Sequence, residues 1–320
     1  MRASEGLASL AVRRLLHAVV VLWLVSTLVF AFLHLSPLPV ERVLGGPRAD
    51  AAALRCIRRN LGLDRPLLVQ YGEFMLRLMR GDLGDSYVNG TPVASLIAER
   101  LPTTLWLVSG AAVLWLAGGV AIGVLCATRA RGLWDRASTV VVLAGMSTPA
   151  FVMALVMLYV FSTKAGEAGL GFFEAGPPLR EHFWQRMVLP WVSLAFLLLA
   201  AYARLTRGAL LDVLDEDYIR TARSKGMRER RVIYRHGLRA ALAPVVTQFG
   251  IDVGTLVGST IVTEKVFGLQ GVGQLVYQSV AAGDTPVIIG VTLLVTVFVV
   301  AANLVVDVGH RRLDPRIARA

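Results

Sequence analysis

The sequence reads as an all-α polytopic membrane protein, and three observations lead there. Apolar residues make up 55 % of the chain against 17 % charged, and mean hydropathy is +0.62; a soluble chain of this size carries nearer ~25 % charge. Six apolar runs approach or exceed the ~20 residues needed to cross ~30 Å of hydrocarbon. Arginine gathers on alternate inter-span segments, the asymmetry that sets orientation in a bilayer.

The first run, Leu15–Leu35, follows Arg13 and Arg14 and has no small-x-small cleavage site. Residues 1–35 are therefore expected to form a cytoplasmic tip and a retained anchor helix rather than a signal peptide. The external segment 36–101 follows. Pro37 and Pro39 end the first helix, and Gly45-Gly46-Pro47 turns the chain. Ala49–Asn60 has helical composition, and Leu67, Tyr71, Phe74 and Leu78 recur at helical spacing across Pro66–Arg80. Gly81, Gly84 and Asn89-Gly90 break that pattern before a short helix expected over Pro92–Arg100. About 65 residues are too few for an independent domain with a buried ligand pocket, so a small external cap is expected.

The core, 102–309, carries the other runs: Thr103–Ala127, Ala137–Phe161, Val188–Ala203, Pro244–Thr263 and Val287–Val308. Pro190 is expected in the first turn of its helix, where a missing N–H matters little. Residues 310–320 form a tail. No internal repeat or low-complexity tract is visible.

Net charge is +11, and its distribution decides what it means. With the N-terminus inside, Arg2, Arg13, Arg14, Arg129, Arg131 and Arg136 are cytoplasmic, as are ten basic residues between Arg204 and Arg239. The tail adds Arg311, Arg312, Arg316 and Arg319, while the external segments are nearly balanced. Basic charge here orients the chain in a lipid bilayer with both termini cytoplasmic; nucleic acid is not an expected partner. Cys56 is expected outside and Cys126 at the inner end of a span, too far apart to pair.

The cytosolic loop 204–243 contains a segment that behaves as its own water-soluble helix. Asp215 is expected to cap the first turn, with Glu216 and Asp217 at the positive end. Arg223 and Lys225 sit at the negative end, and Gly226 supplies a left-handed stop. At about 15 Å the helix is too short and too charged to cross a bilayer. Tyr218, Ile219 and Ala222 form a small apolar patch ringed by charge, expected to dock in a groove of a protein outside the membrane rather than on headgroups.

The fifth span is the most polar. Gln248, Asp252, Thr255 and Ser259 recur at i, i+4, i+7 and i+11 on one stripe. Gly250, Gly254 and Gly258 mark another face, where a neighbouring helix can approach. An acid inside a span costs at least ~2.5 kcal/mol in lipid, so the stripe of Gln248, Asp252, Thr255 and Ser259 is expected to line the translocation path, the alternative being that Asp252 makes an interhelical hydrogen bond. The chain has no phosphate-binding Gly-rich loop, and no His, Cys or carboxylate cluster has metal-ligand spacing. His17, His34, His236 and His310 are isolated. No nucleophile–base pair is visible either, so no catalytic residue, metal site or cofactor is expected on this chain.

The stretch Tyr218-Ile219-Arg220-Thr221-Ala222-Arg223-Ser224-Lys225-Gly226 resembles the cytoplasmic signature loop of ABC-importer permeases, in the version of the dipeptide/oligopeptide (peptide/nickel) family. Gly62-Leu63-Asp64-Arg65-Pro66, Gly81-Asp82-Leu83-Gly84, Arg100-Leu101-Pro102-Thr103-Thr104-Leu105 and Ser147-Thr148-Pro149-Ala150-Phe151 are similar in the same order. So are Glu264-Lys265-Val266-Phe267 with Gly271-Val272-Gly273, and Asp307 with Leu313-Asp314-Pro315-Arg316. The chain departs at Arg220-Thr221-Ala222, where the general permease loop begins Glu-Ala-Ala. It departs again at Gln270, in place of Pro, and at Gly283, in place of the Arg before Asp284; both bear on the external gate. Ala241-Leu242-Ala243-Pro244 lies downstream as in the peptide subfamily.

The resemblance implies six spans with a five-helix type I importer core, in a bacterial cytoplasmic membrane. It implies four partner chains: a second homologous permease, two ABC ATPases holding ATP and Mg, and an external solute-binding protein. Asp217, Tyr218, Arg220, Thr221, Ala222, Lys225 and Gly226 would meet the ATPase. Peptides are the implied cargo, with nickel chelates or glutathione as alternatives. Outside the family, the alternatives are a proton-coupled transporter using Asp252 and Asp307, or a non-transporting scaffold.

Overall fold

A computed structural model describes residues 2–35, 40–46, 49–60, 62–129, 132, 140, 148–164 and 183–313. The helices are α1 (Arg2–Leu35), α2 (Val40–Gly45), α3 (Ala51–Asn60), α4 (Leu67–Met79), α5 (Val93–Thr128), α6 (Ala150–Leu158), α7 (Phe183–Leu214), α8 (Asp217–Ser224), α9 (Leu238–Phe267), α10 (Val272–Ala282) and α11 (Thr285–Leu313). A π-helical segment, Tyr159–Lys164, extends α6, and another, Val232–Gly237, leads into α9. Among the described residues no strand forms, and the one sheet-like pairing is an antiparallel bridge between Asp85 and Pro92.

Among the described residues, three helices are long and apolar enough to cross a membrane, over Leu15–Phe32, Val93–Thr128 and Thr285–Leu304. The number rises to five if Phe183–Phe196 with Leu198–Leu214, and Glu229–Gly254 with Gly258–Phe267, each count as one bent span. The expected third run, Ala137–Phe161, lies largely outside the described residues, as does the tail beyond Leu313.

The chain divides into two compact units. The first comprises 1–102 and 271–300. Its core joins Val93 and Ile97 to Val272, Leu275, Val287 and Val291. The helical stripe on α4 meets α1: the Phe30 ring lies 5.3 Å from Tyr71 and 5.5 Å from Phe74. The Thr27 and Tyr71 hydroxyls share a hydrogen bond at 2.8 Å. A cavity of about 1140 Å³ opens within this unit, lined by Phe30, Arg65, Phe74, Arg77, Ser86 and Ile289 among others. The cap by itself was expected to enclose no pocket. It does not enclose this one alone, because α1 and α11 supply part of the wall.

The second unit comprises 103–270 and 301–320. Leu107, Trp115, Tyr202, Val245 and Phe267 centre its core. Here α5 and α7 touch backbone to backbone. A Cβ added at Gly119 would lie 2.5 Å from Tyr202 Cβ and 3.1 Å from the Leu199 carbonyl. One added at Gly123 would lie 2.7 Å from the Ala203 carbonyl. Gly123→Ala is therefore expected to destabilise the protein by about 1–3 kcal/mol through overpacking. Gly258→Ala meets nothing within 4 Å, and is expected to be neutral or to gain up to ~1 kcal/mol of helix propensity. Melting in detergent checks both.

Three proline expectations need correction. The helix expected over Pro92–Arg100 does not stop there: α5 runs through Pro102 to Thr128. One lost backbone hydrogen bond costs ~3 kcal/mol, and burial on both sides outweighs it, with Val93 and Leu107 both fully buried. Pro190 is not in a first turn, because α7 begins at Phe183. Pro244 likewise lies inside α9 instead of opening it. At its other end α7 continues past the apolar run to Leu214, since Leu210 keeps an apolar face in a cluster with Val124, Ala127 and Ala241.

Candidate functional site

The segment singled out by its charge order does form a separate helix, α8, stopped as expected. Gly226 is left-handed, at φ +73°. Its N–H donates to the Arg223 carbonyl at 2.9 Å, and the Met227 N–H donates to Ala222 at 3.4 Å, the paired bonds of a Schellman stop. The start differs. Asp215 does not cap α8; its own N–H bonds back to the Asp212 carbonyl at 3.3 Å, so it closes α7 instead. Glu216 takes the extended cap position, φ −69° and ψ 147°, without a side-chain cap bond.

The apolar patch is also reassigned. Ile219 is fully buried and Ala222 is 9 % exposed. Both pack on Val213, Leu214, Met227 and Val232 of the same loop. Residues i and i+3 share a helix face, and this one turns inward. Tyr218 alone of the three remains open, at 47 % exposure. The outward surface of α8 is thus polar: Asp217, Tyr218, Arg220, Thr221, Ser224 and Lys225, ending at exposed Gly226. Arg220 pairs with Asp217 at 3.5 Å along it.

Arg223, expected to answer the helix dipole, acts as a strut. Its Nε and Nη2 donate to the two Glu229 oxygens at 3.2 and 2.7 Å, and Nη1 donates to the Leu214 carbonyl at 3.4 Å. This fork holds the Glu229 carboxyl below the usual carboxylate range and raises Arg223 in return. Burial, and secondarily Glu216, push the Tyr218 phenol up. The strut and the apolar cluster fix α8 against the end of α7 and the turn that begins α9's approach.

In the polar stripe of α9, Asp252 bridges two helices. Tyr202 of α7 donates to Oδ2 at 2.8 Å, and Gln248 donates to Oδ1 at 3.1 Å. Ser259 is exposed and bonds its own helix, donating to the Leu256 carbonyl at 2.8 Å. The Thr255 side chain lies outside the described residues. Gly250 and Gly254 are buried, but Gly258 is exposed to open space. The three glycines therefore do not make one contact face. The close approach sits at Gly119 and Gly123, a small-x-x-x-small spacing that the sequence displays in its second span.

Two further acids are buried outside the polar stripe. Glu264 is fully buried and accepts from the Thr104 hydroxyl at 2.6 Å. Asp284 is 2 % exposed, accepting from the Ser86 hydroxyl and from the Tyr87 N–H, the latter at 3.0 Å. Gly283 before it is left-handed, φ +70°, a conformation an Arg would adopt only with strain. The available signal was a carboxylate set at the end of an apolar run, where burial is expensive unless hydrogen-bonded.

Comparison with known proteins agrees with this architecture. A family described as "Binding-protein-dependent transport system inner membrane component" matches residues 119–319. Its companion, "Binding-prot-dependent transport system membrane comp, N-term", matches residues 7–108. The "Glutathione transport system permease protein GsiC" of Escherichia coli (strain K12) is 40 % identical over 307 residues, covering 96 % of this chain and 97 % of the relative. The protein of that name from Shigella flexneri serotype 5b (strain 8401) is similar to the same extent, 40 % over 307 residues and the same coverage. Among solved structures, an inward-facing conformation of the MetNI methionine ABC transporter matches with a TM-score of 0.54 at 20 % identity. That match covers 69 % of this chain and 97 % of the solved one, and speaks to the fold alone. From the two family matches and the full-length relatives, the chain belongs to the binding-protein-dependent transport system inner membrane components, as an ABC-importer permease of the peptide/nickel family.

Proposed function

We propose that this chain forms half of the membrane path of an importer for short peptides, with glutathione the first cargo to test. The observation that carries the coupling half of the reading is α8, whose polar outward face is braced by Arg223 and by the buried Ile219–Ala222 edge. A rigid cytoplasmic knob transmits force; a loosely held loop would not. Two ATPase subunits, holding ATP and Mg, would grip Asp217, Tyr218, Arg220, Thr221 and Lys225, with Ala222 and Gly226 acting from beneath by fixing the helix. Nucleotide-driven closure would then draw this α8 and that of a second permease together, rocking the spans between outward and inward openings. An external binding protein would deliver the cargo. The loop and both termini are cytoplasmic in this reading.

The cargo proposal rests on the GsiC relatives, which share 40 % identity over nearly the whole chain. The test is reconstitution with the second permease, the ATPases and the binding protein encoded with it. ATP-dependent accumulation of labelled glutathione or a dipeptide is expected. Uptake without ATPase subunits would overturn the coupling, and uptake of a nickel chelate but no peptide would overturn the cargo.

Asp252 is proposed to pack α7 on α9 and to leave energy coupling to ATP. Asp252→Asn keeps an acceptor for Tyr202. It is expected to change ATP-driven uptake by no more than about fivefold, on the order of 1 kcal/mol. Complete loss, with uptake that follows an imposed pH gradient, would favour the proton-coupled alternative.

A further inference from the structure

Beside α8 lies a small basic pocket that shares only Tyr218 with the proposed ATPase-docking surface. Tyr218, Arg235, His236, Arg239 and Ala240 border a shallow, open depression of about 370 Å³. Two carboxylates of this loop are engaged elsewhere, Asp217 with Arg220 and Glu229 with Arg223, and Glu216 is the acid that acts on Tyr218. Arg235 and Arg239 make no ion pair with a carboxylate of the described residues, and both are exposed.

Orientation in the membrane requires arginines near a span but does not require them to share one depression with a tyrosine hydroxyl. The backbone beneath them is unusual as well. Val232–Gly237 is a six-residue π segment inside an otherwise α-helical run, a geometry frequent at functional sites. It places Arg235 in its last turn and Arg239 in the first α turn after it. Depth is the remaining observation. From Arg239 to Pro244, where the apolar run begins, is about 7 Å at ~1.5 Å per residue. Each headgroup layer is about 5–8 Å thick, taking ~40–45 Å for the bilayer and ~30 Å for its core. Arg239 therefore sits at headgroup level, and the long Arg235 side chain can reach back toward it.

We propose that this pocket binds the phosphate of an anionic phospholipid headgroup, with Arg235 and Arg239 as its cationic partners and the His236 ring and Tyr218 hydroxyl as further donors. Lys and Arg clusters at the cytoplasmic boundary attract anionic lipid. Because Tyr218 belongs to α8, occupancy ties the lipid composition of the inner leaflet to the helix that faces the motor. The inference rests on the cytoplasmic placement of the loop proposed above.

The test measures lipid retained by the full chain, co-purified with its partner subunits, using phosphatidylglycerol and phosphatidylcholine in native mass spectrometry. Preferential retention of phosphatidylglycerol is expected, falling at least fivefold in Arg235→Gln/Arg239→Gln and unchanged in Arg228→Gln/Arg230→Gln, outside the pocket. Millimolar inorganic phosphate should not displace it; displacement would reassign the site to a soluble phosphate compound and overturn the lipid proposal. Equal retention of both lipids, or an unaffected double variant, would also overturn it. So would loss of the ATPases from the double variant with lipid retention intact, which would give the pocket to a protein partner. Sidedness is read separately, from a membrane-impermeant thiol reagent on Ser224→Cys in a background lacking Cys56 and Cys126. Labelling from outside the cell would refute the cytoplasmic placement independently of any lipid result.

Discussion

Ala222→Glu is expected to lower ATP-driven uptake by at least a hundredfold while leaving membrane insertion intact. The reason lies beneath α8 rather than on its surface. Ala222 is 9 % exposed and packs with Ile219 and Val232, both fully buried. A carboxylate forced into that apolar edge has no cation facing it, because Arg223 is already committed to Glu229. Burying an uncompensated charge costs about 3–5 kcal/mol, which at ~1.4 kcal/mol per tenfold lowers the equilibrium constant for docking the helix by more than about a hundredfold. Gly226→Asp attacks the same arrangement from the stop, since a non-glycine residue at φ +73° is strained. Thr221→Glu provides the contrast. Its side chain is exposed, so the helix should stay in place while the partner contact changes. Hydrogen exchange of the 217–227 amides separates the two: fast for Ala222→Glu, slow and native-like for Thr221→Glu, with uptake reduced in both. Native exchange and native uptake in Ala222→Glu would refute the inward placement of this edge.

The contrast shows how far the sequence could be read. Composition and apolar run length gave the helical membrane architecture because bilayer thickness imposes a length on every span, whatever the partners. The left-handed Gly226 was legible for a similarly local reason: a helix of mixed charge followed by glycine has few ways to end. Which way α8 faces was not legible. Tyr218, Ile219 and Ala222 look like one patch on a helical projection, and only the tertiary placement of Val213, Leu214 and Val232 decides that two of them turn inward. The prolines misled for a related reason. Pro102, Pro190 and Pro244 mark local penalties, but helices that bury apolar side chains on both sides of a proline run through it. In α9, periodicity grouped Gln248 with Asp252 correctly, yet the partner that matters, Tyr202, lies fifty residues away and carries no spacing signal.

The other large effect is expected at Asp284, where deletion of a buried carboxylate should free the turn over residues 84–92. Asp284 accepts from the Ser86 hydroxyl and the Tyr87 N–H, and Ser86 in turn organises the turn that follows. The Ser86 hydroxyl accepts from the Asn89 N–H at 3.0 Å, and the Ser86 N–H donates to the Thr91 carbonyl at 2.9 Å. Ser86 is 2 % exposed, so water does not replace the lost acceptor. Each orphaned donor then costs ~1–3 kcal/mol, and Asp284→Ala is expected to destabilise the protein by about 3–5 kcal/mol, less if the turn escapes to solvent. Asp284→Asn keeps an acceptor for Tyr87 and gives up one charge-assisted bond, so about 1 kcal/mol is expected. Melting in detergent ranks the three proteins, and proteolysis between residues 84 and 92 reports the turn directly. In the transport assay, uptake should fall with turn stability while basal ATPase activity stays at the wild-type level, because α8 lies in the other compact unit. An Asp284→Ala protein that melts and resists protease like the wild type would mean that the Ser86 and Tyr87 donors find other acceptors, and that this acid does not hold the turn.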